Sequence, residues 1–270
     1  MRNSQKARAI FPSGLYQPEG SFRFSVDALL LGSFIKKSSS SGMLVADIGA
    51  GCGIVGLTHL LDHPKSCCVG LEVQGELVAA AHTNARHLGC ADRYVCLEMD
   101  IALGECTVAS VFQQALGNNA SIKQQLVVKK TPAPEGFDLV LANPPYRVLG
   151  TGRLPKSLSR QKALFAPLGT LERFCGAAYS LMKAEGYFGL VFPAAQQSVI
   201  VDIVHGCGLY VERCLSVLGR QGKEATLILL LARKIPVASC LYEAPLVLYA
   251  HEDTLSRAAV DFCPYLARGV

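Results

Sequence analysis

Two hundred and seventy residues, half of them hydrophobic and 17% charged, are enough to bury a sizeable core and exclude a disordered chain or a coiled coil. The longest apolar run, Ala225 to Ala232, is far short of the roughly 20 residues that cross a bilayer, and no apolar stretch follows Arg2, Lys6 and Arg8 as it would in a secretory leader, so a cytoplasmic protein with no membrane partner is expected. The net charge of +5 is a mild bias, and its distribution along the chain says more than its size.

From Met43 onward short apolar runs alternate with helical patterns, the signature of βα units and a mainly parallel sheet. Leu44 to Ile48 predicts a first strand, a Gly-rich turn follows, and a helix runs from Ile54 to Asp62 and stops before Pro64. Cys67 to Glu72 predicts the second strand. Glu76 to Leu88 has helical spacing with Gly89 at its C-terminal cap, and Tyr94 to Leu97 predicts a third strand. Residues 101–136 read as an insertion, with Gly117-Asn118-Asn119 and Pro132-Ala133-Pro134 as breakers and one helix near Val108 to Leu116. Phe137 to Ala142 predicts the fourth strand and the segment to Ala166 a long loop. A helix over Thr170 to Met182, a strand over Tyr187 to Phe192, a helix over Gln196 to Val204, and strands over Tyr210 to Leu218 and Thr226 to Ala232 complete the pattern. The short connection Gly219 to Glu224 predicts an antiparallel hairpin. The expected architecture is a Rossmann-like α/β domain over 43–234, seven strands, helices on both faces, preceded by a segment 1–42 and followed by a tail 235–270 of no assigned role.

Asp47-Ile48-Gly49-Ala50-Gly51-Cys52-Gly53 ends the first strand and opens a helix. Glycines there let a backbone approach a ligand, and the helix N-terminus offers free N–H groups. Gly51, Gly53 and Gly56 also fit the dinucleotide pattern G-x-G-x-x-G. Glu72, ending the second strand, suits the hydroxyls of a ribose in either case. Asp47 ahead of the first glycine and Asp100 after the third strand favour a cationic, phosphate-free cofactor over a pyrophosphate.

The fourth strand leads into Asn143-Pro144-Pro145-Tyr146, at the sheet edge where ligands bind in open α/β folds. An amino nitrogen conjugated to a ring is a poor nucleophile, and orientation is the remedy. The Asn143 side-chain oxygen and the Pro144 carbonyl can accept its two N–H bonds, Pro144 and Pro145 stiffen the turn, and the Tyr146 ring can stack on an unstacked base. Between Asp138 and Glu172 there is no acid, while Arg147, Arg153, Lys156, Arg160 and Lys162 fall there. Arg2, Lys6 and Arg8 precede the first acid, Glu19, and Arg220 and Lys223 flank Gly222. These patches suit a polyanion such as RNA, the other reading being solvated surface.

With these motifs the chain resembles class I S-adenosylmethionine-dependent amino-methyltransferases. Phe22 to Leu31 narrows the resemblance to the bacterial tRNA1(Val) adenine-37 N6-methyltransferases, over residues 20 to 233. The resemblance implies S-adenosylmethionine as cofactor, tRNA as substrate, and Phe22 to Leu31 as a segment covering the cofactor. It further implies Asp47 and Gly49 at the methionine end, Glu72 on the ribose, Asp100 at the adenine amino group and Asn143 on the target amine. Gly51 and Gly53 complete the cofactor turn, Asp27 reaches the cofactor or caps the following helix, and Arg23 joins the cations that would contact RNA. The insertion and the tail depart from that family.

The same tetrapeptide occurs in enzymes that methylate the glutamine amide of release factors or guanine N2 in ribosomal RNA. Only 46 residues precede Asp47, which leaves little room for a helical N-terminal domain of the release-factor type, and the basic loop favours RNA. A nicotinamide-dependent oxidoreductase lacks a Tyr-x-x-x-Lys proton-transfer pair, and a non-catalytic RNA-binding module has no need of Asn143. His59 and His63, at i and i+4, read as a plain helix face and no metal is expected. The eleven cysteines read as reduced thiols, Cys52 among them as a packing residue, and a monomer is expected.

Overall fold

The computed structural model describes residues 2–20, 26–35, 42–102, 106–118, 135–145 and 168–268. In chain order they form α1 (Arg2–Ile10), α2 (Val26–Phe34), β1 (Leu44–Ile48), α3 (Ile54–Asp62), β2 (Cys67–Glu72), α4 (Gly75–His87), β3 (Tyr94–Glu98), α5 (Val108–Asn118) and β4 (Phe137–Ala142). Then follow α6 (Leu168–Leu181), β5 (Met182–Pro193), α7 (Gln197–Gly206), β6 (Tyr210–Arg220), β7 (Ala225–Arg233), β8 (Leu241–Tyr242), β9 (Leu246–His251), β10 (Thr254–Leu255) and α8 (Arg257–Phe262).

The strands build one mixed sheet in the order β10-β9-β6-β7-β5-β4-β1-β2-β3, with β8 also on β6. β1 to β5 run parallel, and β7 lies antiparallel between β5 and β6. β1 and β2 are buried on both faces, so their sequences are continuous apolar runs rather than alternating ones. Val45 points to the face covered by α2, α3 and α4, while Leu44, Ala46 and Ile48 point to that covered by α5, α6 and α7. Arg93, 8% exposed, donates to the carbonyls of Leu60, His63 and Ser66 and satisfies the C-terminal end of α3.

Three expectations need correction, and the plain helix face carrying His59 turns out to be a buried one. Among the described residues the sheet has ten strands, because the tail contributes β8, β9 and β10. α5 is the crossover helix between β3 and β4 that a parallel sheet requires, and Phe112 on it stacks on Phe137 at 5.0 Å, so this part of 101–136 belongs to the core. β5 begins at Met182, opposite Phe137, and a bulge absorbs the residues before Tyr187. His59 is fully buried against α2, stacked on His63 with ring centroids 4.2 Å apart, and burial pushes it down to about 3. A neutral buried ring is what this interior accepts. Among the described residues no cluster of three or more His, Cys, Asp or Glu is arranged to hold a metal, and no helix is long and apolar enough to cross a membrane.

The tail closes the face on which α2 lies. β9 runs parallel to β6, with Val217 opposite Leu246 and Arg220 opposite Tyr249. Ser256 then caps α8 by accepting from the Ala259 N–H at 3.0 Å. Beyond α8, Tyr265 donates to Asp62 at 2.7 Å and sets its ring edge-on to Phe11 at 5.1 Å, while Cys263 donates to the Leu29 carbonyl. Phe11, Leu29, Leu30, Leu31 and Leu266 all lie at 2% exposure or less, in one cluster with the α3 side of the sheet. Leu266→Ala should therefore lower stability by about 2–5 kcal/mol, as a core truncation does. A urea midpoint that moves by less than about 0.5 kcal/mol, the usual surface value, would contradict a tail built into the core.

Candidate active site

Parallel register brings the separate motifs to one line. Ile48 lies opposite both Leu71 of β2 and Ala142 of β4, and Glu72 opposite Glu98 of β3. The next residues along each strand are therefore the Gly49 turn, Glu72, the Met99-Asp100 pair and Asn143, all at the carboxyl edge of the sheet. Asn143 and Pro145 are half-buried and Pro144 buried there.

The turn is held from within. Asp47, 1% exposed, accepts the Gly56 N–H at 2.9 Å through Oδ2, satisfying one of the N–H groups that open α3. Its Oδ1 is buried with no hydrogen-bond partner among the described residues. Burial raises the Asp47 carboxyl to about 7 against the pull of the Gly56 N–H, and the neighbouring Glu72 charge adds to the rise. Gly49 and Ala50 donate to the Leu71 carbonyl at 2.8 and 3.0 Å. Gly51 and Gly53 have φ of 57° and 87°, a backbone region that favours glycine. A Cβ on Gly53 would come within 2.8 Å of the Tyr94 hydroxyl, whereas one on Gly51 would meet nothing within 4 Å, so the space beside the Gly51 Cα is open to a ligand.

Glu72, 7% exposed, accepts the Gly51 N–H through Oε2 at 2.9 Å and the Gln74 N–H through Oε1 at 3.0 Å. Each oxygen keeps a further lone pair for a donor such as a ribose hydroxyl. Asp100 accepts the Ala102 N–H at 2.8 Å and is half-buried beyond β3. These residues fit a cationic nucleoside cofactor: a buried carboxylate oxygen without a donor, a second carboxylate at the strand end and open space beside the Gly51 Cα. They do not fit a pyrophosphate, because the N-terminus of α3 that would bind one already faces the Asp47 carboxyl group.

Asp27 sits half-buried in the first turn of α2 rather than at its cap, where a carboxylate meets the positive end of the helix. Arg220 is exposed at the carboxyl edge but donates to the Glu252 carbonyl at 3.0 Å, so the tail orients it. Lys223 is exposed on the turn between β6 and β7. Arg23, Tyr146, Arg147, Arg153, Lys156, Arg160 and Lys162 lie outside the described residues. Cys52 is 6% exposed and burial pushes its thiol up to about 12, which leaves it a packing residue in spite of the nearby helix terminus. The sequence reading passed over Asn84, which contacts the turn directly; its signal was its place at i+4 from Ala80 in the buried stripe of α4.

No protein-family profile matches the chain. Among curated proteins it is similar to a tRNA1(Val) (adenine(37)-N6)-methyltransferase of Shewanella frigidimarina, 23% identical over 88% of this chain and 80% of that protein. A protein of the same description from Aeromonas hydrophila is 24% identical over 77% of this chain and 75% of its own length. For a third, from Vibrio parahaemolyticus, the figures are 23% and 68%, and the match spans 64% of that protein's own length. Among solved structures, one described as a predicted O-methyltransferase from Agrobacterium tumefaciens superimposes with a TM-score of 0.60 at 20% identity, over 90% of this chain and 97% of that one. The chain thus has the Rossmann-like fold of class I methyltransferases.

The shifted Asp47 carboxyl makes a stability prediction. Between about 4 and about 7 the folded protein holds a proton that the unfolded chain has released, so stability from this group is full below pH 4 and is lost as pH rises to 7. Asp47→Asn keeps an acceptor for Gly56 and has no proton to release. Without ligand, the variant should gain on the unsubstituted protein from pH 4 to pH 8 by a few kcal/mol at most. Urea midpoints at pH 5 and pH 8 that differ equally in both proteins would contradict the burial argument.

Proposed function

We propose that this protein transfers a methyl group from S-adenosylmethionine to the exocyclic N6 of an adenine in RNA, with tRNA as the substrate class. The observation that carries this reading is the register that sets Asn143-Pro144-Pro145 beside the Asp47 to Gly53 turn and Glu72. The names of the three curated relatives support the choice of adenine and of tRNA.

S-adenosylmethionine is the cofactor, and it supplies a methyl group on a positively charged sulfur. Glu72 accepts from its ribose, Asp100 from its adenine amino group, and the Gly49 to Gly53 backbone with Asp47 lines its methionine end. Asn143 Oδ1 and the Pro144 carbonyl accept the two N–H bonds of the target amine. Those two bonds hold the nitrogen in line for attack and draw electron density onto it as its charge develops, so no strong base is needed. Pro144 and Pro145 fix the backbone that presents these oxygens. Tyr146 stacks on the withdrawn base, and Arg23, Arg147, Arg153, Lys156, Arg160, Arg220 and Lys223 neutralise phosphates around the site.

The test is transfer of labelled methyl to tRNA and to total RNA from cells lacking the gene, read by nucleoside mass spectrometry. N6-methyladenosine should appear in tRNA, and Asn143→Ala should reduce its rate by about 10²-fold or more while S-adenosylhomocysteine still binds. Label entering a release factor with RNA left untouched would overturn the RNA reading in favour of the glutamine amide.

A further inference from the structure

Asn84 is fully buried on α4, and its side chain joins three separate parts of the chain. Its Oδ1 accepts the Tyr16 N–H at 2.7 Å, and its Nδ2 donates to the Tyr16 carbonyl at 2.9 Å and to the Cys52 carbonyl at 2.9 Å. Both Nδ2 hydrogens are thereby used. The pair of bonds to Tyr16 treats that residue as a neighbouring strand would, with amide donor and acceptor both engaged. The third bond reaches Cys52, the residue between Gly51 and Gly53, two of the three positive-φ glycines of the turn.

The Cys52 carbonyl fixes the plane of the peptide that carries the Gly53 N–H. That N–H donates to Ala50 at 2.9 Å and closes the turn, and the Gly53 carbonyl in turn accepts the first hydrogen bond of α3, from Leu57. Glu72 holds the Gly51 N–H from the β2 side, and Asn84 holds the Cys52 carbonyl from the α4 side. The turn is gripped across its tip by two residues, and only Glu72 belongs to the set proposed to touch the cofactor. On the other side of Asn84, Tyr16 stands in the segment between α1 and α2, and α1 is itself docked on the end of α4 through Arg8, whose Nε donates to the Leu88 carbonyl at 2.6 Å.

We infer that Asn84 is a positioning residue for cofactor binding, which sets the Gly51-Cys52-Gly53 peptides and ties them to the N-terminal segment. The inference rests on the reading of the turn as the cofactor site. Leaving the buried Cys52 carbonyl unpaired, and losing the part-buried bonds to Tyr16, frees the turn to rotate its peptides away from the binding arrangement. The cost falls on binding, because Asn84 touches neither the transferred methyl nor the amine held by Asn143.

The experiment measures the S-adenosylhomocysteine Kd by calorimetry well below the melting temperature, with KM and kcat for S-adenosylmethionine on tRNA. Asn84→Ala should weaken binding and raise KM by roughly tenfold, the loss expected for buried groups left unpaired. Its kcat at saturation should stay within about twofold, since only uniform binding is removed. Asn84→Ser, which keeps one donor, should fall between the two, and serves as the main variant if Asn84→Ala does not fold. Tyr265→Ala, which loses the Asp62 bond and the Phe11 contact, reports on destabilisation away from the turn and should leave Kd unchanged. Unaltered binding by the Asn84 variants, or an equal loss in Tyr265→Ala, overturns the inference. Absence of binding by the unsubstituted protein overturns the cofactor reading itself, and the inference with it.

Discussion

The hydrogen bond from the Gly56 N–H to the buried Asp47 carboxylate joins the end of β1 to the start of α3, and the geometry of the whole turn follows from it. To make that bond the carboxyl group must lie under the helix terminus, and the chain between them must fold into a tight loop with positive-φ glycines. The space beneath is filled by Tyr94, which fits because Gly53 and Gly70 have no side chains. A Cβ at either position would approach its hydroxyl to within 2.8 and 2.7 Å. Gly56 is constrained by the same packing, since a Cβ there would meet the Cys68 sulfur at 2.6 Å. Of the glycines that resemble a dinucleotide pattern, Gly53 and Gly56 are thus explained by close packing and Gly51 by its positive φ, and the acid beneath them turns the electrostatics against a phosphate. A buried carboxyl with an unmatched oxygen is an expensive feature for a fold to keep, and functional sites are where such features persist.

Around that turn the sheet acts as an aligning device. Each parallel strand ends at the same edge, so Glu72, Asp100 and Asn143, distant in sequence, converge without any long-range loop having to bring them together. The far side of the sheet, from β7 to β10, carries the structural work. β7 and β6 turn back at residues 221–224, β9 extends them, and the chain after it returns to cover α2 and Phe11. The N-terminal segment and the tail therefore stabilise each other on the α3 face, and the Tyr16 segment that Asn84 ties to the Gly49–Gly53 turn rests on that joint support.

The motifs along 44–62 and 137–145 were legible because each combines a buried apolar strand with turn chemistry that only a few residues permit. Gly49, Gly51 and Gly53 signal their own backbone angles, and Pro144 and Pro145 signal a rigid exit from β4. The tail was illegible for a physical reason. β8 and β10 are two residues each, and β9 pairs in parallel with β6 across a separation of about thirty residues, so their stability comes from partners that local sequence does not name. The burial of His59 was not legible because i, i+4 spacing says which residues share a helix face and not what covers it. Here Gly32 of α2 allows the close approach of α3 that buries it, with the Gly32 Cα region against Thr58 and Val55. Asn84 was missed because a polar residue in the run His82-Thr83-Asn84-Ala85-Arg86-His87 looks like surface, although its periodicity placed it inside.

An Asp47 turn built this way should take a phosphate-free nucleoside and reject a pyrophosphate. Calorimetric titration of the purified protein with S-adenosylhomocysteine and, separately, with NADH tests it most directly. The account predicts saturable one-to-one binding of S-adenosylhomocysteine and none of NADH. Binding of NADH without S-adenosylhomocysteine would contradict it and return the glycines to a dinucleotide site.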